Sequence, residues 1–385
     1  MESGRLKELN IRDVPAPCFV IETAKLKRNL DTLSRVKDAT GLKILFAQKA
    51  FASYAVYPLI AAQLDGVCAS GLWEARLGSS EFGREVHTYC PAYRDDEIEE
   101  IFELSHTVVF NSPSQLNRFR THILNNRSDT EIGIRINPEC SVTETALYDP
   151  CAPNSRLGVK LEQIADVDWS LVDGIHFHAL CEQTSFALEK VLNSVEKRFA
   201  GALEKVKWLN MGGGHFITSA GYDISHFIEV IRSFQNRHPH LQLYIEPGGA
   251  VVLNAGILVA TVLDILPGQP QNAILDISCT CHTPDVLEMP YRPAVMNEVP
   301  LENASHTYRF GGVSCLAGDQ FGVYGFDAAL RVGDRIVFMD MAQYSIVKTT
   351  MFNGVRHPAI AVYDEDEDAL RIVRTFSYQD FRNRL

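Results

Sequence analysis

Lys49 closes a short apolar run at residues 43–47, after Gln48, and precedes Ala50-Phe51-Ala52. A lysine at the end of a buried strand loses hydration. That disfavours its charged form and suits the amine to Schiff-base formation with a carbonyl compound. The same placement also suits an ion-pair partner. His178 ends another apolar run, residues 173–178, where an imidazole can stack on a planar ring or sit as a satisfied structural histidine. His176, two residues back, is read as structural. Gly212-Gly213-Gly214 follows a third run, and glycines there let backbone N–H groups close around a phosphate, although a tight turn needs glycine too. Glu246-Pro247-Gly248-Gly249 follows a fourth run. It adds a second close backbone approach and a carboxylate able to hold a protonated pyridine nitrogen.

These residues share one position, the end of an apolar run. Eight such runs occur, at residues 43–47, 66–69, 86–89, 107–110, 131–136, 173–178, 208–211 and 242–245. Near-continuous hydrophobicity over that length suits a parallel strand buried on both faces. Helical patterns lie between them, among others at residues 54–64, 72–82, 95–104 and 188–204. The alternation predicts an α/β fold, a (β/α)₈ TIM-like barrel whose C-terminal strand ends build the active site. A doubly wound sheet would need a dinucleotide fingerprint after its first strand, and the sequence has none. Beyond residue 249 the runs at 250–264, 273–278, 308–311, 335–340 and 369–374 read as strands between Pro/Gly turns. The expected division is a barrel over 18–249 and a mostly β domain over 250–385, joined by 1–17.

A length of 385 residues suits two domains, and 46% hydrophobic with 22% charged residues is an ordinary globular balance. The net charge of −12 argues against nucleic acid and is compatible with a cationic substrate. No apolar run is long enough for a membrane span, and the polar start lacks a secretory pattern, so a cytoplasmic protein is expected. Nine scattered cysteines give no disulfide framework, and Cys279-Thr280-Cys281-His282 lacks zinc-site spacing; no metal is expected.

Taken as a set, Phe46-Ala47-Gln48-Lys49-Ala50, His176-Phe177-His178, the glycines 212–214, Glu246-Pro247-Gly248-Gly249 and Gly312-Val313-Ser314-Cys315 resemble the fold-type III pyridoxal-phosphate decarboxylases. The resemblance runs from about Pro17 to Phe352 in the same order. It implies pyridoxal 5′-phosphate on Lys49, His178 against the ring face, and Glu246 at the ring nitrogen. Arg135 would lie near the ring, and Gly213, Gly214, Gly248 and Gly249, with Tyr344, would serve the phosphate. It also implies a homodimer with shared active sites, into which Cys315 and Asp319 reach from the partner subunit. Cys315 or a nearby donor would reprotonate the product carbon. Lys49, Cys315, Glu246 and His178 are thus the expected catalytic set. Related racemases place an arginine where Glu246 stands.

Several positions depart from the ornithine and diaminopimelate branches. Gly249 replaces the arginine of a Glu-Pro-Gly-Arg motif, Val67 replaces an acid, and Cys181-Glu182 stands where a phosphate-supporting serine is expected. Leu316 follows Cys315 where those branches carry an acid for the far end of the substrate, and leucine cannot pair with an ammonium. Together with residues 283–293, these departures resemble the branch acting on carboxylated polyamines, carboxynorspermidine and carboxyspermidine, in polyamine biosynthesis. Asp319, Asp285 and Glu288 are the expected acids for distal amines, and Arg292 the family arginine near the substrate or, equally, the structural ion-pair partner of one of these acids. Decarboxylation of diaminopimelate, ornithine or arginine is the alternative within the class. Outside it stand a silent homologue regulating polyamine synthesis and a cofactor carrier without turnover.

Overall fold

The computed structural model describes residues 9–143 and 145–385. In chain order the strands are β1 (Cys18–Glu22), β2 (Lys43–Ala47), β3 (Gly66–Ala69), β4 (Glu85–Tyr89), β5 (Thr107–Phe110) and β6 (Glu131–Arg135). They continue with β7 (Gly174–His176), β8 (Trp208–Asn210), β9 (Gln242–Ile245), β10 (Gly256–Leu266) and β11 (Gln271–Leu275). The last five are β12 (His306–Gly311), β13 (Gln320–Phe326), β14 (Arg335–Met339), β15 (Ala359–Asp364) and β16 (Ala369–Arg374). Two compact units result, one of residues 29–49 and 57–251, the other of 50–56, 252–385 and the described part of 1–28.

In the first unit β2 to β9 pair in sequence order, all parallel, and β9 closes on β2. Each apolar run expected as a barrel strand is one. The interior packs Leu45, Val109, Trp208 and Tyr244, with Tyr89 against them. Trp208 fits only because two facing strands carry no side chain at its level. A Cβ on Gly174 would lie 1.9 Å from the indole and one on Gly133 2.6 Å. Around the barrel, the helix Ser185–Leu203 is capped by Thr184, whose side chain accepts the Ala187 N–H. The helix Ile224–Arg237 is likewise capped by Asp223. Both bury one apolar face, Leu188, Val191, Val195 and Phe199 on the first, Phe227, Ile231 and Phe234 on the second. The expectation that helix begins at 188 missed the three residues that the Thr184 cap adds.

The second unit is an eight-stranded sheet in the order β13-β12-β11-β10-β1-β15-β16, with β14 also paired to β10. Its core stacks Phe310 on Tyr324, centroids 4.6 Å apart, and Phe321 near Phe338 at 4.8 Å. Three expectations are corrected here. The barrel does not begin at residue 18, because β1 pairs antiparallel with β10 and parallel with β15. The chain makes a helical turn over Gly249–Val252 before β10 starts, so residues 250–255 are not strand. Strands β13 and β15 were not anticipated. Residues 1–8 of the segment expected to join this unit lie outside the described residues. No helix among the described residues is long and apolar enough to cross a membrane.

His282 is fully buried in the sheet unit, and its Nδ1 accepts the Ser278 N–H at 3.1 Å. Burial, reinforced by positive potential from His357, pushes its pKa down to about 3. The unfolded ring titrates near the ordinary value, so below it the unfolded chain takes up a proton that the folded chain refuses. Stability therefore falls as pH drops from about 6.5 towards 3. His282→Gln should shrink the loss of urea midpoint between pH 7 and pH 4.5. An unchanged loss would place the acid sensitivity elsewhere. In the barrel, Gly174→Ala should destabilise by about 1–3 kcal/mol through overpacking, read as a lower melting temperature. Adding Trp208→Leu should recover part of it.

Candidate active site

Parallel register brings three side chains to one level of the barrel. His176 on β7 stands beside Asn210 on β8, which stands beside Tyr244 on β9, and Glu246 follows just past β9. The Glu246 N–H donates to the Gly212 carbonyl at 2.7 Å, which fixes the backbone beneath the carboxylate. Asn210 Nδ2 then donates to Glu246 Oε1 at 2.8 Å, while His176 Nε2 lies 3.3 Å from Oε2. Burial works to neutralise Glu246, yet the electrostatic pull and hydrogen bonding of His176 and the Asn210 donor outweigh it and hold the carboxyl below its ordinary range. Burial also lowers the His176 pKa against the pull of Glu246. At neutral pH the arrangement is an ionised carboxylate between two neutral donors.

The His176 ring stacks on Tyr89, centroids 5.4 Å apart and planes 29° from parallel. On Tyr89 also lies the Arg135 guanidinium, 4.7 Å from the ring centroid. Arg135 is buried, donates from Nη2 to the His178 carbonyl at 3.2 Å, and leaves Nε without a partner among the described residues. Cys68, at the end of β3, has its thiol pushed well above its ordinary range by burial and then by the Glu246 charge.

His178 lies just past β7 and is half-buried. The Gly213 N–H donates to its Nδ1 at 2.8 Å, so that nitrogen carries no proton and the neutral ring is the Nε2–H tautomer. Burial, followed by the positive charges of Lys49 and Arg135, pushes its pKa well below the ordinary range. Gly213 must be glycine for this bond, because a Cβ there would lie 2.4 Å from the Glu246 carbonyl oxygen. Gly214 turns with φ +84°, which favours glycine. Gly248 is buried, and Gly249 opens the short helix that follows.

Lys49 stands in the turn after β2 and is exposed, so the chain's own residues do not supply the desolvation expected there. Its charge is nevertheless felt by Cys68, His176 and His178, and it makes no ion pair among the described residues. Gln48 beside it is buried, donates to the Glu74 carbonyl at 2.9 Å and accepts from the Tyr57 hydroxyl at 3.1 Å, which anchors the turn. The barrel thus brings together Lys49, Arg135, His178, Gly213 and Glu246. It adds His176, Asn210 and Tyr89, which sequence reasoning missed. Asn210 and Tyr89 carried a signal, being polar residues at the ends of the 208–211 and 86–89 runs.

In the sheet unit, several expected substrate residues are otherwise engaged. Asp319 is buried and organises its own loop. Its Oδ2 accepts the Ser314 N–H and hydroxyl at 3.1 and 2.6 Å, and its Oδ1 the Thr280 N–H at 3.1 Å. Three donors thus already engage the Asp319 carboxylate. Arg292 pairs at 2.5 Å with Glu298, an acid outside the three expected as its partner, and lies 4.6 Å from the Tyr324 ring centroid. Asp285 and Glu288 both pair with Lys348. Cys315 is exposed, and its N–H donates to Asn353 Oδ1 at 2.8 Å. Leu316 is 43% exposed. Tyr344 takes a positive φ of 50° and donates its N–H to the Ala50 carbonyl at 2.8 Å.

Residues 18–342 match the family described as pyridoxal-dependent decarboxylase, C-terminal sheet domain. A carboxyaminopropylagmatine decarboxylase of Synechocystis sp. is 45% identical over 387 aligned residues, covering 100% of this chain and 98% of that protein. A carboxynorspermidine/carboxyspermidine decarboxylase of Campylobacter jejuni is 40% identical, covering 96% and 98%. Among solved structures, carboxynorspermidine decarboxylase from Campylobacter jejuni complexed with norspermidine superposes with TM-score 0.89 at 38% identity, covering 97% of this chain and 100% of that one. The chain belongs to the pyridoxal-dependent decarboxylases with a C-terminal sheet domain, enzymes that work with pyridoxal 5′-phosphate.

Proposed function

We propose that this enzyme removes the carboxyl group from a carboxylated polyamine, carboxynorspermidine or carboxyspermidine, to give norspermidine or spermidine. The supporting observation is likeness along the whole chain, at 40% identity, to a decarboxylase named for these two compounds. The residues at the barrel's strand ends fit pyridoxal phosphate by their chemistry. Among the described residues they offer a lysine amine without an ion-pair partner, a carboxylate held ionised, a neutral imidazole fixed in rotation, and a buried guanidinium with an unpartnered Nε.

When bound, the cofactor supplies an electron sink for the pair left behind as CO₂ departs. Lys49 would hold it through its amine. Glu246, ionised beside Asn210 and His176, keeps the ring nitrogen protonated. His178 offers a ring face whose rotation is set by the Gly213 N–H. Gly213, Gly214, Gly248, Gly249 and Tyr344 would serve the phosphate, and Arg135 would stand towards the ring. Cys315, reaching in from the partner subunit of a homodimer, would be the proton donor to the product carbon. Against the two acids Asp285 and Glu288 stands one lysine, which leaves one negative charge to attract a distal amine.

A second reading has its own support. The Synechocystis relative at 45% identity is named for carboxyaminopropylagmatine, which shares the carboxylated aminopropyl arm and ends in a guanidine rather than an amine. The reacting end is common to both readings, and only the far end differs.

Lys49→Ala should lose the visible absorbance of lysine-bound cofactor and its turnover while the cofactor-free protein melts as wild type does. Retained turnover would remove Lys49 from its role. Assayed side by side, the carboxylated polyamines should exceed ornithine, arginine and meso-diaminopimelate in kcat/KM by more than about a hundredfold, because a site built for distal polar groups rejects substrates lacking them. Preference for ornithine would overturn the proposal, and preference for carboxyaminopropylagmatine would select the second reading.

A further inference from the structure

We propose that His176 is a positioning residue for the reaction: wedged between the Tyr89 ring and the Glu246 carboxylate, it fixes the plane of that carboxylate by donating Nε2–H to Oε2. The inference rests on the reading that Glu246 holds the cofactor's ring nitrogen.

Asn210 alone fastens one carboxylate oxygen, Oε1, at 2.8 Å and leaves the group free to turn about that bond. The 3.3 Å approach of His176 Nε2 to the other oxygen removes the freedom. Both donors come from neighbouring barrel strands held in parallel register, so the carboxylate is braced by backbone pairing rather than by a loop. The ring cannot swing away, because Tyr89 lies against its face at 5.4 Å, and Arg135 lies on Tyr89 in turn. Burial keeps the imidazole neutral, so its single ring proton has to sit on Nε2 for the bond to form.

A ring placed there only to fill the barrel would do better as phenylalanine. His176 is 2% exposed, and its Nδ1 finds no partner among the described residues, an arrangement that costs stability. What the imidazole adds over a phenyl ring is the bond to Glu246. Because that bond is charge-assisted, its loss should be felt where the carboxylate acts and not in substrate capture.

The test uses the holoenzyme in four forms beside wild type: His176→Phe, His176→Gln, Glu246→Gln and the Phe/Gln double variant. Readouts are the bound cofactor's visible absorbance between pH 6 and 9, together with kcat and KM. His176→Phe should lower kcat about tenfold with KM within about twofold, the scale of one such hydrogen bond. It should shift the pH at which the visible band titrates in the same direction as Glu246→Gln does. His176→Gln, which keeps a donor, should restore most of both. The double variant should lose no more than Glu246→Gln alone. A wild-type spectrum and kcat in His176→Phe, or additive losses in the double variant, would overturn the proposal while leaving the role of Glu246 intact. An unaltered spectrum in Glu246→Gln would instead overturn the reading of Glu246 and the proposal with it. Should His176→Phe fail to fold, His176→Asn, too short to reach Oε2, takes its place with the same outcomes.

Discussion

A carboxylate that is both buried and ionised is the constraint around which the barrel end is arranged. Removing Glu246 from water disfavours its charge, so the fold must return by hydrogen bonding what it takes by desolvation. It does so with donors from two adjacent strands, one on each oxygen. The histidine donor, once neutral, has to carry its one ring proton on Nε2, which places demands on its surroundings. His176 is kept neutral by burial and held in plane by Tyr89. The positive groups nearby, Lys49 and Arg135, then discourage protonation of both His176 and His178.

Closure of the barrel makes this bracing possible. Eight short strands converge only if their interior is filled without strain, and Trp208 fills it because Gly133 and Gly174 leave room. Two residues farther along the same strands, the glycines give way to Arg135 and His176 and the tryptophan to Asn210. Packing and chemistry therefore alternate along one set of inward-facing positions. A change in the filling layer transmits to the layer above it through strand register alone.

The barrel was legible in the sequence because parallel strands buried on both faces read as continuous apolar runs, and glycine or polar residues punctuate their ends. The sheet unit was less so. Strand β1 lies far in sequence from its partners β10 and β15, and no local pattern announces a pairing across some 240 residues. In β13, Gly322 and Gly325 interrupt the apolar signal. Gly322 is glycine because the Arg292 stem passes over it, and Gly325 because the 299–304 segment does. At the site, Lys49, His178 and Glu246 were visible as strand-end residues, whereas His176 looked structural because its partner stands seventy positions away. Motif order gave Asp319 a substrate role, since spacing shows that a carboxylate is present and not which N–H groups consume it.

The acids of the sheet unit differ in availability for that physical reason. Asp319 satisfies the backbone of residues 314 and 280 and the Ser314 hydroxyl, and drawing it away would unmake the loop that displays Cys315 and Leu316. Asp285 and Glu288 sit one helical turn apart and share a single lysine, so their pairing is a competition that neither wins completely. A second cation can join such a cluster without leaving a buried charge unpaired, whereas a first cation at Leu316 would meet no counter-charge. Recognition of a long polycation by such a cluster depends on the number of charges spread along the ligand, more than on any one contact.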